Sequence, residues 1–136
     1  MGLDDKKTRQ INIKFPLRKS VRGAFETNEE TIDAVRDDLK LLLLTNHGER
    51  PMRYTFGCNF RDLMFEAIDG DLKQKFHDRI LYSINEWMPY VNIVDINVKD
   101  SSVDASLDVN EIKIEITFDV GSTDLTGDLA ITLRKQ

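Results

Sequence analysis

The chain is poor in residues that build covalent or metal-centred chemistry. Its 136 residues include one cysteine, Cys58, and two histidines, His47 and His77. A single thiol forms no internal disulfide, and so few soft ligands argue against a multi-ligand zinc site. No glycine-rich phosphate loop, dinucleotide fingerprint or nucleophile elbow interrupts the sequence. The longest unbroken apolar run is Leu41–Leu44, against roughly 18–20 residues for a membrane span. The N-terminus is polar and charged and lacks the apolar core of a signal peptide. These absences lead us to expect a soluble protein in a reducing compartment, with no metal, no cofactor and no membrane partner.

What is present is an ordinary globular composition with an uneven charge. Apolar residues make up 40% and charged residues 32%, a mix that folds. The length suits one domain with a sizeable core. The formal charge is −5, which gives the whole chain no reason to seek nucleic acid. Residues 1–22 hold seven basic groups against two acidic ones, or +5. Residues 23–136 hold twelve basic and twenty-two acidic groups, or −10. The basic start reads either as a solvated tail lying back on an acidic body or as an arm that docks on an acidic partner. Its one aromatic, Phe15, is a poor stacking platform for nucleic acid.

Periodicity divides the chain into helices followed by strands. Ile11 to Phe15 alternates apolar and polar residues, a short strand stopped by Pro16. Gly23 to Thr27 reads as a loop. Thr27 and Asn28 are candidate N-caps, with Glu30 completing a capping box. Ile32, Val35, Leu39, Leu42 and Leu43 make one apolar helical face, which Gly48 is expected to end. Asn59 with Asp62 starts a short helix with Phe60, Leu63, Met64 and Ala67 inward. A third helix runs from about Asp71 to Trp87, with Leu72, Phe76, Ile80, Ile84 and Trp87 on one side and Pro89 as its stop. From Val91 the period changes to two. Val91, Ile93, Ile96 and Val98 form a strand with a bulge near Val94–Asp95. Ile112, Ile114, Ile116, Phe118 and Val120 form the clearest one. Gly121 to Gly127 reads as a turn, and Leu129, Ile131 and Leu133 form a last strand. The expected fold class is α+β, with about three helices on one face of a small, mainly antiparallel C-terminal sheet.

Catalytic constellations are weak. Cys58 with His47 or His77 has the chemistry of a nucleophile–base pair, but a lone cysteine beside a glycine turn is more often a small buried residue. Glu29–Glu30 and Asp37–Asp38 resemble paired glycosidase carboxylates in composition only. Adjacent helical residues point about 100° apart, which fits a solvated face. Three segments keep functional interest. Glu49 and Arg50 follow the first long helix, where they either cap its carbonyls or meet a partner. Trp87-Met88-Pro89-Tyr90 lies at the helix-to-sheet junction, as a helix stop or an interface anchor. The C-terminal strands include at least one sheet edge, shielded or paired with another chain.

The run Leu41-Leu42-Leu43-Leu44-Thr45-Asn46-His47-Gly48-Glu49-Arg50-Pro51-Met52, then Phe56-Gly57-Cys58 and Leu63-Met64-Phe65-Glu66, resembles the small baseplate wedge protein of contractile phage tails. That family includes the sheath-initiator subunit of type VI secretion systems. The resemblance covers about residues 20–135, and the order and spacing of its short motifs carry it. The family has Glu-Pro-Arg where this chain has Met88-Pro89-Tyr90. In relatives the triplet is implicated in contacts with neighbouring wedge proteins. Here an apolar or aromatic contact would replace the charged one.

The resemblance implies a structural, non-enzymatic part of the virion's tail baseplate, assembled in the host cytoplasm, with several copies per baseplate. It implies a joint between baseplate and sheath that templates sheath polymerisation by β-strand sharing. The implied partners are the tail sheath protein and neighbouring wedge proteins. The partner-binding candidates are Glu49, Arg50, Met88, Pro89, Tyr90, Ile112, Ile114, Ile116, Phe118, Leu129, Ile131 and Leu133. Residues 1–22 are expected to be a basic arm ordered only in the assembly, and residues 23–136 a single wedge domain. Two alternatives stand beside this reading: a phage-associated, lysozyme-like cell-wall hydrolase, and a regulatory adaptor with the same fold.

Overall fold

The computed structural model describes residues 11–19, 25, 27–28, 30–66, 70–121 and 123–134. The element order is β1 (Asn12–Ile13), β2 (Thr27–Asn28), α1 (Thr31–Leu44), α2 (Phe60–Met64), α3 (Gly70–Trp87), β3 (Val91–Lys99), β4 (Glu111–Val120) and β5 (Thr123–Arg134). The α+β class follows from this order. β3, β4 and β5 form one antiparallel sheet with β4 in the middle, and β1 pairs with β2 in a separate two-stranded ribbon.

Strict alternation along β4 explains the sheet. Ile112, Ile114, Ile116 and Phe118 are buried, while Lys113, Glu115, Thr117 and Asp119 line the opposite, wetter face. Pairing sets Ile116 against Leu129 and Ile114 against Ile131, so both strands present their apolar side chains to the same face. The helices cover that face. Val35, Leu39, Leu42 and Leu43 of α1, Phe60 and Leu63 of α2, and Leu72, Phe76, Ile80 and Ile84 of α3 join the strand residues in one core. The expected bulge in β3 falls between Ile93 and Asp95.

Four local expectations are corrected. Thr27 and Asn28 form β2, and the N-cap of α1 is Glu30 without a side-chain capping bond. The helix ends at Leu44, before Gly48. Thr45 closes it, its hydroxyl donating to Leu41 O at 2.6 Å, so a side chain replaces the glycine stop. The hairpin turn is shorter than residues 121–127, because β5 already begins at Thr123. Gly127 therefore lies inside the strand opposite Phe118, and a Cβ there would come 2.9 Å from Phe118 Cζ and 3.0 Å from Ile32 Cδ1. Glycine at this position is a packing device, and composition alone made it look like a turn.

The fourth correction concerns β1, expected over residues 11–15: it covers only Asn12–Ile13, and it turns its polar residue inward. Ile11 and Ile13 are exposed, and Asn12 is partly buried against α1. The Asn12 amide donates to Asp38 Oδ1 at 3.1 Å and to Ala34 O at 3.4 Å. Phe15 N donates to Asp37 Oδ2 at 3.0 Å. Asp37 and Asp38 thus hold the preceding segment to α1. Burial pushes the Asp38 carboxyl up, against the Asn12 bond and aided by Asp37. Of the basic start, residues 11–19 are described; residues 1–10 and 20–22 lie outside the described residues, as do Glu29 and Ala67.

Asp100, where β3 leaves the sheet, ties the loop to α3. It accepts Ser102 Oγ at 2.5 Å and Ser102 N at 3.2 Å, and pairs with Lys73 at 3.2 Å. The Ser102 hydroxyl, seconded by Lys73, holds its carboxyl below the usual range. A lowered folded-state pKa stabilises above the unfolded value and is lost as pH falls through the folded one. Asp100→Ala should cost about 1–3 kcal/mol near neutrality. The gap to the parent should shrink below roughly pH 4. Urea unfolding of both proteins at pH 7 and pH 3 checks this; an equal gap at both values would contradict it.

Candidate partner-binding site

The loop after α1 is built on one backbone approach. Gly57 has φ of +110°, and a Cβ there would sit 2.1 Å from Thr45 O. Only glycine lets the chain pass so close to the end of α1. Cys58 N then donates to Leu42 O at 3.2 Å and Asn59 N to Thr45 O at 3.4 Å, satisfying carbonyls the helix end leaves open. Arg79 of α3 reaches Asn59 O at 3.0 Å, and Ser83 Oγ lies 3.5 Å from Gly57 O. The strap 57–59 is therefore clamped between α1 and α3.

Glu49 and Arg50 have separate tasks within this loop. The Glu49 carboxylate accepts Asn46 N at 2.8 Å and Asn46 Nδ2 at 3.0 Å. These two bonds, the side-chain one first, hold its pKa below the usual range. Arg50 lies over the Phe56 ring at 4.4 Å. Phe56 meets Trp87 edge-on, with centroids 5.1 Å apart, and Arg53 lies over Trp87 at 5.6 Å. The structure thus joins two segments that looked independent in sequence. The Glu49–Arg50 loop and the Trp87–Tyr90 junction meet through Phe56 and Trp87. Arg53 was not a candidate, because loop contacts leave no periodic signal.

The junction itself is mixed in character. Met88 is buried, whereas Pro89 and Tyr90 are exposed. Tyr90 O accepts Gly121 N at 3.0 Å, binding the junction to the β4–β5 turn. Partial desolvation of its ring, with Asp38 nearby, pushes the Tyr90 phenol up. The strand candidates are elsewhere. Ile112, Ile114, Ile116, Phe118, Leu129 and Ile131 point into the core, and Leu133 is partly buried. Their side chains set the sheet's register, so what the sheet turns outward at its edge is main-chain N–H and C=O.

The edge can be read from two hydrogen bonds. Gly121 N points towards β3, since it reaches Tyr90 O. By alternation, the even-numbered main-chain groups of β4 face β5, and Gly127, Leu129, Ile131 and Leu133 face back. Asp128, Ala130 and Thr132 consequently turn their N–H and C=O groups away from β4. Arg36 Nε reaches Asp128 O at 3.0 Å from α1, capping one of these positions. Among the described residues no strand pairs along the outer side of β5. Beside its end lies a largely apolar groove of about 460 Å³, lined by Leu43, Leu44, Phe60, Met64, Phe65 and Leu133 together with Asn46, Arg61 and Arg134.

Cys58 is fully buried, and desolvation pushes its thiol up to about 11. A thiol so placed is a poor nucleophile. His47 and Cys58 border one hollow beside α3, and His47 Nε2, 3.1 Å from Gly57 O, serves the loop there. Among the described residues no group of three metal-ligating side chains forms, and no helix is long and apolar enough to cross a membrane. Gly57→Ala should lower stability by roughly 2 kcal/mol or more, through overpacking and a disfavoured φ. A thermal melt checks this; an unchanged midpoint would contradict the clamped-strap geometry.

Residues 29–125 match the family described as baseplate wedge protein gp25. No curated protein sequence matches the chain. Among solved structures, the chain is similar to a component of the anti-feeding prophage baseplate, determined by cryo-electron microscopy with sixfold symmetry. Identity is 28% and the TM-score 0.68, covering 85% of this chain and 88% of that one. It also shares its fold with a putative tail lysozyme from Geobacter sulfurreducens, at 20% identity and a TM-score of 0.70, covering 82% of this chain and 96% of that one. The family match spans most of the chain, and the chain belongs to the baseplate wedge protein gp25 family, as a wedge component of a contractile-tail baseplate.

Proposed function

We propose that this wedge protein joins the baseplate to the tail sheath and templates sheath polymerisation by lending its sheet to a strand of the sheath protein. The observation that carries this reading is the outer side of β5. Leu129 and Ile131 are already buried, yet Ala130 and Thr132 turn main-chain groups to an edge that no strand covers among the described residues. Such an edge accepts an added strand through main-chain hydrogen bonds with no repacking of the core. The other edge strand, β3, is less suited: its bulge and the neighbouring Asp95 break a flat ladder.

In this reading the neighbouring wedge proteins are further partners, and several copies act in each tail. The likeness to a sixfold-symmetrised baseplate supports that multiplicity. Residues 23–136 would act as one wedge domain, and the basic segment of residues 1–22, whose Asn12 and Phe15 are held on α1, would meet a second partner. The protein would work in the tail, after assembly in the host cytoplasm, without enzymatic turnover and without contacting nucleic acid or membrane. The likeness to a putative tail lysozyme is one of fold, and the adjacent carboxylates Asp37 and Asp38, the composition a glycosidase would need, are engaged with Phe15 N and Asn12 instead.

Charged substitutions at Ile114 or Ile116 would break the core, since both are fully buried. Thr132→Pro is the cleaner test. It removes an outward N–H and leaves the β4–β5 ladder intact, as proline at a strand edge allows. Tails carrying Thr132→Pro should contain baseplates with this subunit and no sheath, seen by negative-stain microscopy. Normally sheathed tails would count against strand sharing at β5.

A further inference from the structure

Residues 50–54 form a second surface that the sheet-edge reading leaves unused. Arg50-Pro51-Met52-Arg53-Tyr54 brings together two arginines, a methionine and a tyrosine, residue types favoured at the centres of protein interfaces. The two guanidinium groups are placed by stacking, Arg50 over Phe56 and Arg53 over Trp87. Among the described residues neither is in an ion pair. Their N–H groups are therefore oriented and open to a carboxylate, which arginine can grip with two bonds.

Between the two arginines Met52 is 92% exposed, and beside them Tyr54 is 68% exposed. Met52 has φ of +66°, a conformation that an unbranched, bulky side chain rarely adopts. The chain holds that residue in an unfavourable backbone state and gains no packing from it, which points to use by another molecule. The loop is also stiff. Gly48 N donates to Tyr54 O at 2.8 Å, Arg53 N to Arg50 O at 3.2 Å and Phe56 N to Arg53 O at 3.0 Å. A surface already in its bound shape loses little entropy on docking.

We infer that the 50–54 loop is a docking surface for an acidic patch on a different protein chain of the baseplate. Aspartate or glutamate side chains would meet Arg50 and Arg53, and an apolar contact would cover Met52 and Tyr54. Charge complementarity selects the acidic partner. A second copy of this chain is disfavoured because many of its own carboxylates are occupied. Asp33 pairs with Arg36, Glu66 with Lys75, Asp100 with Lys73, and Glu115 with Lys99 and Lys113. Asp37 and Asp38 hold Phe15 and Asn12. The inference rests on membership of a baseplate and is independent of strand sharing at β5.

The test is charge reversal in the assembling particle. Arg50→Glu with Arg53→Glu should leave the purified chain folded, with its circular-dichroism melt close to the parent's. Its copy number in isolated baseplates should fall at least tenfold by immunoblot. Second-site suppressors should change Asp or Glu to Lys or Arg in another baseplate protein. Should the double reversal fail to fold, Met52→Asp with Tyr54→Ser carries the test, because neither residue is in the ring stack and aspartate tolerates a positive φ. Unchanged incorporation of the folded variant would overturn the proposal, as would suppressors that fall within this chain. Thr132→Pro separates the two surfaces: it should keep normal incorporation while losing the sheath.

Discussion

The rest of the structure depends on the register of β4. Its four inward residues are fully or almost fully buried, and each meets a partner on β5 while the helices close over them. A slip of one residue would exchange Ile112, Ile114, Ile116 and Phe118 for Lys113, Glu115, Thr117 and Asp119. Burying those charges unpaired would cost far more than the sheet hydrogen bonds return. The register is therefore set by exclusion of charge as much as by apolar attraction. Gly127 follows from the same constraint: the ring of Phe118 needs its space, and Ile32 of α1 fills what remains.

A second constraint links the helices to the loop. The close pass of Gly57 over Thr45 brings Cys58 and Asn59 onto the end of α1 and positions Phe56 against Trp87. The aromatic pair then fixes two arginines on the surface. A core contact thereby determines where positive charge is displayed, on a chain whose net charge is negative. The basic residues that matter at this surface sit in the folded body.

Much of this was legible in the sequence where the period was strong. The apolar stripes of α1 and α3, the alternation of β4 and the β3 bulge all follow from residue spacing. Failures occurred where a local signal had a competing use. Gly48 and Gly127 read as helix stop and turn, but Thr45 closes the helix and Gly127 admits Phe118. Thr27 and Asn28 read as caps and are strand residues. In β1 the apolar alternation marked the exposed face, because Asn12 found two oxygens on α1. At the surface, Glu49 and Arg50 were visible as a charged pair, whereas their link to Trp87 through Phe56 joins residues too far apart in sequence for any spacing rule. The direction of the β5 edge needed the hydrogen bonds of Gly121 and Arg36.

Family membership places the chain in a baseplate, and its fold supplies what an assembly part needs: a rigid core, a strand edge left unpaired among the described residues and a preorganised basic loop. The central claim is that another chain completes the sheet at β5. The most direct measurement is a cryo-electron microscopy map of the assembled tail at a resolution that traces strands. The account predicts a strand from the sheath protein running beside Leu129–Leu133, hydrogen-bonded to Ala130 and Thr132. A map in which that edge faces solvent, or in which sheath strands join β3 instead, would contradict it.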